Sequence, residues 1–459
     1  MQKNEMSTHS NIQIYIIKIY EKFLQVFEPS FFKFLVTALL IAIPLYPKFP
    51  AIRIPGIYVA IRLEDFLILF TLLIFLIPML INFKIFLKEK VPRAIILFLL
   101  IGFISTISGI LITQIVVPSI AFLHFFRRVE YLSLFFAGFL FIRQTKDNSF
   151  FEYLLKILLI INLFVFLYGF GQKYFNLPII ITQNEEYSKG VALSYTAGAH
   201  INSSFAGHYD LASYLVLIMP IFISAFYLLK DKISKIILAI STLLGFWLLS
   251  AAVSRISIVA FLISTTISLF LLKKYKAIVT VLVISVIIFG FSSDLRVRYG
   301  RIIEVVRQKI TSVVIVYAQE DGNVNEDRST SIRFNVEWPR AMRAFYKNPL
   351  LGTGYSSITL ATDNDYLRAL GETGVLGLLS FLLIFITLFK TFNIYKFDVY
   401  EHSSNNLESV FIASFVGSTV GILMTALFID IFEASKFATI YWLFTGFVVA
   451  KIIQNNKLT

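Results

Sequence analysis

Apolar runs of roughly 14 to 24 residues recur from one end of the chain to the other, most of them about the length that spans a hydrocarbon core. They stand near 34–47, 63–81, 95–117, 119–142, 152–171, 211–229, 236–253, 256–272, 277–292, 373–390, 408–428 and 436–452. Because they are apolar on every face, they read as membrane spans and not as one-faced surface helices. The chain has 459 residues, 57% of them hydrophobic and only 15% charged, which is far more apolar surface than one soluble core uses. The expected fold is an all-α polytopic membrane protein with about 12 transmembrane helices and one large helical extracytoplasmic loop.

The net charge of +13 does not point to nucleic acid, because the basic residues sit in short clusters between runs, as a topology signal does. Lys84, Lys88, Lys90 and Arg93 form one cluster; Arg143 and Lys146 a second; Lys230, Lys232 and Lys235 a third; Lys273, Lys274 and Lys276 a fourth. The connections between these carry almost no Lys or Arg: 116–120 has none, and 429–435 holds only Asp430 and Glu433 as charged residues. The basic set is expected on the cytoplasmic side, with both termini inside. The chain has no Cys, so disulfides, thiolate chemistry and Cys-based metal sites are excluded.

Four regions follow. Residues 1–31 are an expected cytoplasmic or interfacial segment, weakly amphipathic from Ile12 to Phe27 and unlike a cleaved signal peptide. Residues 32–292 hold the first nine spans with an external loop at 172–210, 293–372 form the large external loop, and 373–459 hold the last three spans and a tail. The large loop contains Arg296, Arg298, Arg301, Arg307, Lys309, Arg328, Arg333, Arg340, Arg343, Lys347 and Arg368. The positive-inside rule covers short loops only, so these cations call for another explanation.

Asp294 to Gln308 reads as a basic interfacial helix, and Ser331 to Lys347 as a second helical segment. On the latter, Arg333, Glu337, Arg340 and Ala344 share one face at spacings of three and four. Pro339 kinks that helix or restarts it. The run Asn348-Pro349-Leu350-Leu351-Gly352-Thr353-Gly354 predicts a turn that comes close to another backbone. Asp363-Asn364-Asp365-Tyr366 then sits at a helix entrance, where a helix N-terminus favours an ionised carboxylate. Two further features fall on the same side. Ser254-Arg255-Ile256-Ser257 is the whole link between two spans, and Gly207-His208-Tyr209-Asp210 leads into another. Arg127, Arg128 and Glu130 lie within the fourth span. Ionisable groups at that depth are functional candidates, although Arg127 and Glu130 are also spaced to pair with each other.

Arginines at an outer leaflet beside a carboxylate suit transfer from a lipid-borne diphosphate. The leaving group needs bidentate cations, and the attacking hydroxyl needs a base within reach. The plain alternative is that the arginines hold lipid headgroups and the glycines only let helices pack. No metal-ligand spacing is present in the sequence, so arginine is the expected counter-charge and no cofactor is expected.

At these residues the chain resembles the O-antigen ligase and O-antigen polymerase family of membrane glycosyltransferases. The resemblance lies in Arg333, Trp338, the 348–354 turn, and Asp363-Asn364 followed at the family's spacing by Gly374 and Gly377. The Ser254-Arg255 corner and the approach to the sixth span are similar as well. The family's His is Asp363 here, which puts ligation to a lipid A core in doubt, while a carboxylate is able to act as the base. The resemblance implies Arg255 and Arg333 as diphosphate binders and Asp363 as the catalytic base. Arg127, Arg128, Arg340, Asn364, Tyr366 and His208 are the expected substrate contacts. It also implies a polyprenyl-diphosphate-linked glycan as donor, a glycan or lipid-linked acceptor, a bacterial inner-membrane location and no metal. A transporter or flippase of lipid-linked oligosaccharides is the competing reading. It predicts charges lining a path at the midplane and an internal repeat, and no repeat is evident.

Overall fold

The computed structural model describes residues 29–47, 50–53, 60–145, 149–180, 192–193, 195, 199–292, 332–358, 361–395, 397 and 406–456. The amphipathic segment at 12–27 and the basic segment at 294–308 lie outside the described residues.

Every apolar run of the sequence falls on a helix. The helices are α1 (Pro29–Leu45), α2 (Leu63–Ile81), the short α3 (Phe83–Lys88), α4 (Lys90–Ser108, continued by a π-turn at Gly109–Thr113), α5 (Pro118–Gln144) and α6 (Phe150–Tyr174). They continue with α7 (His208–Leu228), α8 (Lys232–Ala252), α9 (Arg255–Leu271), α10 (Tyr275–Phe291), α11 (Trp338–Lys347), α12 (Asp365–Phe392), α13 (Asn406–Thr425) and α14 (Ser435–Asn456). Two short antiparallel pairs, Pro50–Arg53 with Ala60–Arg62 and Ile179–Ile180 with Ala192–Leu193, are the β-structure among the described residues.

Among the described residues, eight helices are long and apolar enough to cross a membrane. The apolar stretches of α1, α9 and α10 are shorter, and α5 carries Arg127, Arg128 and Glu130 in its N-terminal half. Large apolar side chains face outward along the bundle, including Leu73, Ile112, Phe126, Val286 and Phe291. That surface suits lipid and would be costly in water. The protein is a multi-pass helical membrane protein.

Without water to drive apolar faces together, spans associate through close packing and polar contacts between helices. The α5–α14 pair shows the first: a side chain at Gly446 would strike the backbone carbonyl of Phe135. The α7–α9–α13 group shows the second. Ser268 sits between Ser224 (2.6 Å) and Ser414 (3.0 Å), and Ser418 donates to the Val216 carbonyl at 2.9 Å.

Candidate active site

The site is organised around a break in a helix. Within α12, Gly374 has φ 67° and ψ −169°, a conformation that strains any residue with a Cβ. A break leaves carbonyls and N–H groups without helical partners, and buried ones must be satisfied. The turn predicted at 348–354 satisfies them. Thr353 and Gly354 donate to the carbonyls of Gly371 (3.1 Å) and Glu372 (2.8 Å). Val375 and Leu376 donate in turn to the carbonyls of Pro349 (2.9 Å) and Leu350 (3.3 Å). Gly352 and Gly354 also take positive φ, and a Cβ at Gly374 would collide with Leu350. Asn348 ties the turn to α4 by donating to Ser108 at 3.0 Å.

The break sets the first two turns of α12 against the 426–433 connection. Asn364 is the N-cap and accepts from Leu367 N–H at 2.9 Å. Asp430 accepts from the N–H groups of Thr362 (2.7 Å) and Asn364 (3.0 Å), and so grips the chain on both sides of Asp363. Asp365 accepts from Ile431 and Phe432 at 2.8 and 3.2 Å.

Asp363, held this way at φ 49°, meets Arg333. The guanidinium donates from Nε at 3.0 Å and from Nη2 at 2.8 Å, both to Oδ2. Arg333 begins a π-turn, Arg333–Glu337, that runs into α11, and Glu337 faces the same pair. Burial pushes the Glu337 carboxyl up to about 7, Asp363 adds to the push and Arg333 opposes it. Asp363 is also raised, by burial and by Asp430, with Arg333 opposing. The sequence led to the opposite expectation, that a helix N-terminus would favour the ionised form. In the structure Asn364 takes the cap position, and desolvation outweighs the dipole.

Tyr209 hydrogen-bonds to Arg333. Its ring lies 4.0 Å from that of His208, which stacks on His200 at 4.3 Å. The same segment donates from Ile201 to the carbonyl of Ala251 at 3.3 Å. This hydrogen bond anchors it near the corner where Val253 takes φ 53° and Arg255 opens α9. Thus Arg333, Asp363 and the His208 segment come together, with the Arg255 corner bonded to that segment. Arg340 lies next to Glu337, and its Nη1 is buried without a hydrogen-bond partner.

The other expected contacts are placed differently. Asn364 gives its side-chain N–H to the Leu427 carbonyl (3.0 Å) and Tyr366 gives its hydroxyl to that of Leu423 (2.8 Å), so both spend polar atoms on the frame. Arg127 forms its ion pair with Asp65 on α2 at 3.7 Å rather than with Glu130. Arg128 pairs with Glu433 and, at 3.6 Å, with Glu372, and stacks over Tyr355. Arg368 reaches Glu372 (3.6 Å) and Asp430 (3.0 Å). Sequence reasoning passed over Glu337, Glu372, Tyr209, Asp430 and Glu433 as site groups. Glu337 could have been found, since it shares the Arg333 face. Asp430 and Glu433 were noticed only for the absence of basic residues around them.

Residues 238–382 match the family model for O-antigen ligase. This part of the chain is similar to an O-antigen ligase domain. The matched region begins in α8, takes in the Arg255 corner, Arg333, Glu337 and Asp363, and ends in α12 beyond the break. Tyr209, Arg128 and Asp430 reach this region from outside the matched residues. No curated protein matches the chain. The match supports a membrane glycosyl-transfer role in polysaccharide biosynthesis.

Proposed function

We propose that the protein moves a glycan from a polyprenyl-diphosphate carrier onto an acceptor hydroxyl, at the extracytoplasmic face of a bacterial inner membrane. The Arg333–Asp363 pair inside the matched region is the observation that carries this reading, because it joins a diphosphate-binding fork to a carboxylate. The acceptor oxygen bonds to the anomeric carbon, and the bond from that carbon to the diphosphate oxygen breaks. The acceptor proton passes to Asp363, or to Glu337 beside it. Raised carboxyls are stronger bases once ionised, which suits them to the task. Arg333, with Arg255 from the neighbouring corner, balances the charge that grows on the departing diphosphate. Twelve spans with both termini in the cytoplasm would put this group at the outer leaflet, where a lipid carrier presents its diphosphate.

A flippase needs charge distributed along a path through the midplane. The described arginine–carboxylate pairs gather instead where α5 and α12 meet the 426–433 connection, which favours chemistry at one end of the bundle. The test is transfer in proteoliposomes that contain purified protein and lipid-linked glycan. Loss of transfer in Asp363→Ala and Arg333→Ala, with normal protein levels, is expected. Undiminished transfer in both variants would overturn the assignment.

A further inference from the structure

Tyr209 comes to the Arg333–Asp363 pair from the first turn of α7, outside the residues that match the ligase model. Its hydroxyl and the Arg333 guanidinium are hydrogen-bonded. Chemistry fixes the direction of that bond. A guanidinium carries donors only, so the phenol oxygen accepts and keeps its own hydrogen to give away. Among the described residues, no side chain or carbonyl takes that hydrogen.

The position of the missing acceptor is narrowly set. Two partners of one phenol oxygen stand about 5 Å apart, so the acceptor lies beside the guanidinium, at a separation that one diphosphate spans. A neighbouring cation favours an anionic oxygen there over a neutral one. Arg333 also has donors to spare after Asp363 and Tyr209 are served.

The hydroxyl is held in place before any ligand arrives. The Tyr209 ring packs against the bundle core and lies 4.0 Å from the ring of His208, which stacks on His200 at 4.3 Å. The strand of chain leading to α7 is knotted to α6. Gln172 accepts from the N–H of Ser203 at 2.8 Å and donates to Asn202 and to the Ser203 carbonyl, both at 3.0 Å. Lys436 on α14 donates to the Ser204 carbonyl at 2.7 Å. A donor fixed in this way needs no reorganisation when charge develops in front of it.

We infer that Tyr209 is a diphosphate-binding residue of the transfer site, giving its phenolic O–H to an oxygen of the diphosphate that Arg333 holds. The inference rests on the proposed transfer reaction and brings a neutral donor into the site from the N-terminal half of the chain.

Tyr209→Phe removes the hydroxyl and keeps the ring. Undecaprenyl diphosphate without sugar, and undecaprenol as its phosphate-free counterpart, are titrated against purified full-length protein. Affinity for the diphosphate should fall about 10- to 100-fold, the range for a hydrogen bond to a charged group. Affinity for undecaprenol and the KM for the acceptor should stay as they were. The Arg333→Lys background separates a donor from a prop for Arg333. A donor to the ligand costs affinity there as well, whereas a prop costs nothing more once the fork is gone. Diphosphate affinity unchanged by Tyr209→Phe overturns the inference, as does a loss that vanishes in the Arg333→Lys background or one shared equally by undecaprenol. If Tyr209→Phe fails to fold, Tyr209→3-fluorotyrosine decides alone. Its hydroxyl is a stronger donor of almost the same volume, so diphosphate binding should tighten, and unchanged or weaker binding overturns the inference. Unaltered protein that binds the diphosphate but transfers no glycan would count against the proposed reaction and not against the Tyr209 contact.

Discussion

Arg333 sends two donors, Nε and Nη2, to a single oxygen of Asp363, at 3.0 and 2.8 Å. A fork that converges on one oxygen leaves donors beyond those engaged by Asp363 and Tyr209 for another anion. Arg333→Lys keeps the charge and loses the fork. It should lower transfer by about 10²- to 10³-fold, in the range seen when one transition-state donor is lost. Because the two residues touch, the double variant with Asp363→Asn should lose much less than the product of the single effects. Rates in proteoliposomes for the four proteins check this.

Glu337 predicts a pH profile. A base works when deprotonated, and this carboxyl is raised to about 7. Transfer should therefore climb as pH rises through about 7, and Glu337→Gln should remove that limb if Glu337 takes the proton. For stability the sign is reversed. A carboxyl raised on folding favours the folded state below its unfolded value, and that contribution fades as pH rises from about 4.5 to 7. Thermal unfolding across this window should show a shallower decline in Glu337→Gln.

Gly374→Ala places a Cβ at φ 67° and against the Leu350 carbonyl. Strain of this kind costs about 1–3 kcal/mol before any clash is counted. A clearly lower unfolding temperature in detergent is expected, together with loss of transfer as the 348–354 turn detaches.

The absence of Cys from the chain makes orientation directly measurable. Lys276→Cys should react with an impermeant maleimide only after the membrane is opened. Leu350→Cys, which is 65% exposed at the turn, should react in intact spheroplasts. The reverse pattern would invert the proposed topology.

Helix positions were legible because twelve long apolar runs leave few other folds open, and because the turn glycines at 352, 354 and 374 declare backbone that a side chain would obstruct. Arg333 and Asp363 could be picked out for a related reason: charge is conspicuous in such a chain. What stayed hidden was pairing. Arg127 finds Asp65 across two helices, and Asp430 finds the backbone beside Asp363 from 66 residues away. No local spacing encodes either contact. The raised state of Asp363 was hidden too, since it depends on how deeply the side chain is packed rather than on which helix it precedes.

The clasp between the 348–354 turn and the broken helix is made of main-chain groups. Peptide N–H and carbonyl groups are common to almost all residues, so the register of the clasp owes little to the identity of side chains at 350, 351, 375 or 376. An enzyme built this way separates its anchor from its vocabulary. Side chains around the site are then able to change over evolutionary time while the carboxylate and its arginine keep their address.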